Sequence, residues 1–138
     1  MKTILVVNAK GGCGKTTLST NLASYFATNE LNTVLVDFDP QQSAMEWLKE
    51  RNKDYYYEIQ GISPFDNRLR FAADVDRVVL DAPARVEGKQ LADLVRRADI
   101  ILVPVLPSPI DMRAAAHFIQ ELLLTGHIEE KKIAVIAN

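Results

Sequence analysis

Apolar and polar positions along the chain fall into blocks of two kinds. Short β-branched runs occur at Thr3–Val7, Thr33–Asp37, Arg77–Asp81, Ile100–Val105 and Lys132–Ala137, and longer stretches of helical period lie between them. That alternation predicts a mostly parallel sheet with helices on both faces, a three-layer α/β sandwich. Leu18, Leu22, Tyr25 and Phe26 recur at i, i+4, i+7 and i+8, the pattern of one apolar stripe on a helix. Ser43 and Glu46 have capping-box spacing, with Ala44, Trp47 and Leu48 as the face that helix would bury. Leu91, Leu94, Val95 and Ala98 repeat the pattern, as do Met112, Ala116, Ile119 and Leu123 in a helix expected to stop near Gly126. Between residues 52 and 73 the period fades. There "YYYEI" (Tyr55–Ile59) reads as a short strand and Gly61 to Asp66 as a loop. The closing run "KIAVIAN" reads as a sheet strand with no helix after it, so the 138 residues are expected to be one domain lacking its C-terminal part.

Composition narrows this picture. With 138 residues, 48% of them hydrophobic, the chain can bury one substantial core but not two. A formal charge of −2 gives no overall field favouring nucleic acid or acidic membranes, so any such surface must be local. The single cysteine, Cys13, excludes an internal disulfide and a four-cysteine cluster within one chain, and a reducing cytoplasm is the expectation. The apolar run "ILVV" is too short for a signal-peptide core, and no run approaches the roughly 18 residues of a membrane span.

The chemistry concentrates in "NAKGGCGKTT", Asn8–Thr17, which follows the first strand and opens the first helix. In that context Gly11, Gly12 and Gly14 let backbone N–H groups converge on phosphate oxygens, Lys15 reaches the β and γ phosphates, and the Thr16 hydroxyl ligates magnesium. Thr17 completes the binding set, and Cys13 fills the unconstrained position. Ala9 stands where the usual pattern has its first glycine. Three carboxylates close the strands expected to flank this loop: Asp37 and Asp39 in "VDFDPQ" and Asp81 in "VVLDAPA". Ligands of open α/β sheets sit beyond the carboxyl ends of the strands, which aims all three at the nucleotide. Asp81, after its apolar run, has the pattern of a magnesium-orienting aspartate. In "PVLPSPIDMRAA", three prolines lead into a helix that Asp111 is placed to cap.

These residues together carry a family resemblance. "KGGCGKTT" with "VDFDPQ", "VVLDAPA" and "PVLPSPIDMRAA" resembles the ParA/MinD family of deviant Walker ATPases, most closely its ParF-type partition ATPases and McdA-like cargo positioners. The resemblance runs over essentially the whole chain, and the family pattern K-G-G-x-G-K-[ST]-T is met from Lys10 to Thr17. It implies a P-loop ATPase using ATP and Mg2+ that closes as a homodimer over two nucleotides. Lys15 then acts on its own subunit's ATP, and Lys10 is the signature lysine reaching the partner's. Asp39 orients the attacking water, Asp37 and Asp81 join the magnesium network with Thr16, and Pro83 begins a switch region. Pro107 and Asp111 border nucleotide and interface, and Asn138 matches an asparagine that recognises adenine. The expected output is a cytoplasmic, nucleoid-associated switch that binds DNA non-specifically, uses a ParB-like or adaptor partner and positions plasmid, chromosome or protein cargo. Arg68, Arg70, Arg96, Arg97, Lys131 and Lys132 are scattered, and none is nominated as a DNA contact.

Three rivals share these motifs. A MinD-like membrane ATPase needs a C-terminal amphipathic helix, which is not visible, so no membrane partner is expected. A metabolic ATP-dependent ligase of the same fold needs a substrate site that no residue cluster supplies. A nitrogenase-reductase-like electron carrier needs two cysteines per subunit, against one here. A module that only binds nucleotide is the plain remainder; Asp37 and Asp39 together favour hydrolysis.

Overall fold

The computed structural model describes residues 1–52, 54, 56–64, 69–128 and 131–138. Ten elements follow in order: β1 (Lys2–Val6), α1 (Lys15–Thr28), β2 (Thr33–Asp37), α2 (Ser43–Glu50), β3 (Gln60–Ile62), β4 (Arg77–Asp81), α3 (Gly88–Arg97), β5 (Ile100–Val105), α4 (Pro109–Leu124) and β6 (Lys132–Ala137). The strands form one sheet in the order β3-β2-β4-β1-β5-β6, and every recorded pair is parallel. β1 is central, between β4 and β5, so the chain leaves it at the place where connections diverge to the two sides of the sheet. That crevice is where open α/β sheets bind ligands.

Alternation along the strands divides the core in two. Leu5, Val7, Val34, Val36, Val78, Leu80, Ile101 and Val103 face α3 and α4. Val6, Leu35 and Val79 face α1 and α2. A sheet covered on both faces needs strands apolar at nearly every position, and β2 is buried from Thr33 to Asp37.

The edge of the sheet departs from the sequence reading. Tyr55 lies outside the described residues, Tyr56 to Ile59 is not a strand, and the strand is instead Gln60–Ile62, paired with Val34–Val36. Gly61 and Ile62, expected in a loop, are therefore sheet residues; Phe65 and Asp66 lie outside the described residues, as does Arg68. Gly61 is there for close approach: a Cβ on it would meet Leu48 Cδ1 at 2.8 Å and Met45 Sδ at 3.0 Å. The absent side chain lets α2 seat on β3.

Two helices also present a different face from the one expected. In α1 the buried positions are Lys15, Ser19, Thr20, Ala23 and Ala27; Leu18, Leu22 and Phe26 flank them, and Tyr25 is 63% exposed. Small residues bring this helix close to the central strands, and the large ones fill the margins. In α4 the buried stripe is Asp111, Ala115, Phe118 and Leu122, one residue earlier than expected, while Met112 and Leu123 are exposed. Beyond Asp111 both stripes are apolar, and the one carrying Phe118 takes the core. The helix ends at Leu124 with Thr125 as its cap, before Gly126, whose φ of +72° suits glycine.

The caps differ as well. Ser43 is the first residue of α2 and makes no cap; the Asp37 carboxylate, at the end of β2, accepts from Ala44 N at 3.0 Å and Met45 N at 3.3 Å. Asp111 does not cap α4 either. Ser108 does, its Oγ accepting from Asp111 N at 3.1 Å, with Pro109 preset in the first turn.

Candidate functional site

Residues 7–14 join β1 to α1 at the carboxyl edge of the sheet. Gly12 and Gly14 take φ of +73° and +89°, conformations that L side chains strain to adopt. The loop thereby turns its backbone into the N-terminal end of α1, where unpaired N–H groups and the helix dipole favour an anion. Cys13 is buried, its Sγ donating to Lys10 O at 3.3 Å, so it packs the inside of the loop.

Lys15 and Lys10 lie in contrasting surroundings. Lys15 is 7% exposed, donates Nζ to Lys10 O at 3.1 Å and acts electrostatically on Asp81. Lys10 sits at the rim with its side chain 38% exposed, and its Nζ forms an ion pair with Asp111 in the first turn of α4.

The carboxylates occupy the neighbouring strand ends, with Asp37 and Asp81 in register on β2 and β4. Asp81 is 1% exposed; Ser19 Oγ donates to its Oδ1 at 3.0 Å, and its Oδ2 has no hydrogen-bond partner among the described residues. Burial pushes the Asp81 carboxyl up to about 6, against the opposing pull of the Thr16 and Ser19 hydroxyls and of Lys15. A buried carboxylate oxygen without a partner, beside a threonine hydroxyl at the foot of a phosphate loop, fits magnesium, which takes one or two carboxylates together with phosphate oxygens. Thr16 and Asp81 are the residues that could hold it.

Asp37 is differently engaged. Its Oδ1 accepts from Asp39 N at 2.9 Å and its Oδ2 serves α2, and burial raises its carboxyl despite those bonds. Asp39 is half-buried and turns the chain, with Oδ1 accepting from Gln41 N at 2.9 Å. Asn138 Nδ2 donates to Cys13 O at 2.9 Å, and a Cβ on Gly14 would fall 2.1 Å from that nitrogen. The end of β6 is thus joined to the loop. Pro107 is exposed ahead of α4.

Four site residues were not singled out from sequence. Asn8, 2% exposed, donates Nδ2 to Pro104 O at 2.9 Å and accepts from Lys10 N at 3.2 Å, holding the loop to the end of β5. Its signal is a polar residue directly after an apolar strand. Ser19 is a fully buried hydroxyl whose signal is its place one turn after Lys15. Ser108 supports Asp111. Arg85, after β4, holds a φ of +59° while its N–H donates to Ala9 O at 3.1 Å, and nothing in its sequence context marks it.

Residues 4–138 match the CobQ/CobB/MinD/ParA nucleotide binding domain. The chain belongs to this family. Among curated proteins, a maintenance of carboxysome distribution protein A from Halothiobacillus neapolitanus is 35% identical over 142 residues, covering 99% of this chain and 65% of that protein. Among solved structures, pNOB8 ParA bound to nonspecific DNA superposes with a TM-score of 0.78 at 18% identity, covering 99% of this chain and 67% of the other. A substituted Cyanothece McdA in complex with ATP gives 0.73 at 18% identity, over 99% and 70%. At such identities the structures establish the shared fold. The chain spans less than two thirds of the length of the curated relatives it matches. Family and fold together make it a nucleotide-binding domain of the MinD/ParA kind.

Two of the basic residues scattered in the sequence make local contacts within the domain. Arg96 pairs with Asp93, and Lys131 Nζ donates to Ala98 O at the end of α3, where a cation is favoured. No helix among the described residues is long and apolar enough to cross a membrane.

Proposed function

We propose that the domain is a Mg2+-dependent ATPase that works as a switch: two subunits close over two ATP molecules, the closed dimer binds DNA non-specifically, and an adaptor protein triggers hydrolysis and release. The observation that carries this reading is the division between the two lysines of one loop. Lys15 lies buried toward Asp81 and suits a nucleotide held by its own subunit; Lys10 lies at the rim and suits one presented by a partner. A second cation at the triphosphate stabilises the charge spread over its oxygens during phosphoryl transfer.

In this reading the loop N–H groups and Lys15 bind the phosphates, and Thr16 and Asp81 fix the metal side. Thr16 and Asp81 would hold a magnesium ion there, and its charge would offset that of the phosphates. Asp39 orients the attacking water, and Asp37 keeps Asp39 in place through the Asp39 N–H. Pro107 and Asn138 border the adenine end. The resemblance to a carboxysome distribution protein and to DNA-bound ParA supports cargo positioning on the nucleoid as the output.

Light scattering with a phosphate-release assay tests it. Asp39→Ala is expected to retain ATP and accumulate as a dimer with most release lost, and Lys10→Ala to bind ATP and stay monomeric. Normal turnover in both variants would discard the mechanism.

A further inference from the structure

Lys10 is tied to the start of α4 directly and to the end of β5 through Asn8. Its head group pairs with Asp111, which is 8% exposed in the first turn of α4 and contacts Ser108 Oγ. Its N–H donates to Asn8, whose side-chain amide in turn donates to Pro104 O at the end of β5. Lys10 first, and Ser108 after it, hold the Asp111 carboxyl below the usual carboxylate range.

Resting on the reading that Lys10 serves a partner's nucleotide, we propose that Asp111 is an internal competitor for Lys10: the ion pair is a latch that restrains dimer closure until nucleotide draws the lysine away. One ammonium group cannot stay on Asp111 and also extend across a subunit boundary. The triphosphate offers more negative charge than one carboxylate, so it can win the exchange once a second subunit presents it. Released from Lys10, Asp111 remains on Ser108 within the α4 cap. The latch therefore couples subunit closure to the 104–111 segment, the rim of the same site. The pair is partly exposed and screened, so it tunes the threshold without blocking it.

The experiment measures the ATP concentration giving half-maximal dimer in the full protein, by light scattering, for wild type, Asp111→Asn and Ser108→Ala. Asn keeps the shape and removes the charge, so Asp111→Asn is expected to dimerise at about two- to fivefold less ATP. Without nucleotide, it should also raise the acylation rate of the Lys10 amine, read by peptide mass spectrometry. Ser108→Ala disturbs the cap but leaves the charge pair and should not lower the threshold. An unchanged or raised midpoint in Asp111→Asn, with normal wild-type dimerisation, overturns the latch and leaves the dimer reading standing. A wild type that never dimerises with ATP overturns both.

Discussion

The two ends of the phosphate loop contain the same amino acid in opposite settings. At the inner end, Lys15 is almost fully buried, donates to Lys10 O and acts electrostatically on Asp81. At the outer end, Lys10 stands at the rim and is held by one carboxylate from a different helix. A buried cation commits to local partners, because leaving them strands charge in a poorly solvated place. A rim cation can change partners at small cost. Burial, rather than residue type, distinguishes the two lysines of this loop.

The sharpest way to break that comparison is to remove each lysine in turn. Lys15→Ala is expected to weaken ATP binding by about 100-fold or more, the scale of losing a charge-assisted contact to phosphate. Lys10→Ala should leave monomer affinity within about threefold, as for an exposed charge. Isothermal titration would show this, and equal losses would erase the distinction.

The carboxylates carry the comparison to stability. Asp37→Ala leaves the N–H groups of Asp39, Ala44 and Met45 without their acceptor and is expected to cost roughly 2–4 kcal/mol in urea unfolding. Asp39→Ala should cost less than half as much. A reversed order would mean that Asp37 does not anchor α2.

Asp81 sharpens the inner end through pH. Its folded value, about 6, lies above the ordinary 3.8, so the native state holds its proton more tightly than the unfolded chain. Its contribution is most favourable below pH 4 and is lost as pH rises through 6, by roughly 2–3 kcal/mol. Asp37 is shifted the same way. Asp81→Asn should flatten the metal-free stability slope between pH 4 and 6; an unchanged slope would place the titration elsewhere. The smallest effect concerns the caps. Ser108→Ala should cost about 1 kcal/mol and Ser43→Ala only a few tenths, by thermal melts.

The sequence was most legible along the β-branched runs, both in the buried central strands and in the exposed edge strand β6. Four of the strands coincide with their apolar runs, and the fifth, β1, is shifted by one residue. β3 was hidden because Gly61, which looks like a turn residue, is there to admit Leu48 and Met45. The buried faces of α1 and α4 were misjudged because apolar periodicity ranks large side chains first. Close packing instead selected Ser19, Ala23 and Ala27 in α1, and chose between two apolar stripes in α4.

Within the site, residues whose placement follows from local spacing were legible: the loop glycines, both lysines, Thr16 and Asp81 lie together at the carboxyl edge of the sheet. Those whose role depends on a distant partner were not. Asn8 acts on Pro104, Ser19 on Asp81 and Arg85 on Ala9. Ser43 and Ser108 have the same spacing to an acid three residues on, yet only the second caps. At the first, Asp37 already supplies the acceptor from the end of β2, a contact no short motif contains.

The claim that one loop serves two nucleotides is tested most directly by mixing two inactive variants and measuring phosphate release. A Lys10→Ala subunit keeps its own Asp39, and an Asp39→Ala subunit can lend it Lys10. If Lys10 acts across the dimer, the mixture regains release that neither variant shows alone. Release no greater than the sum of the separate variants would contradict the account.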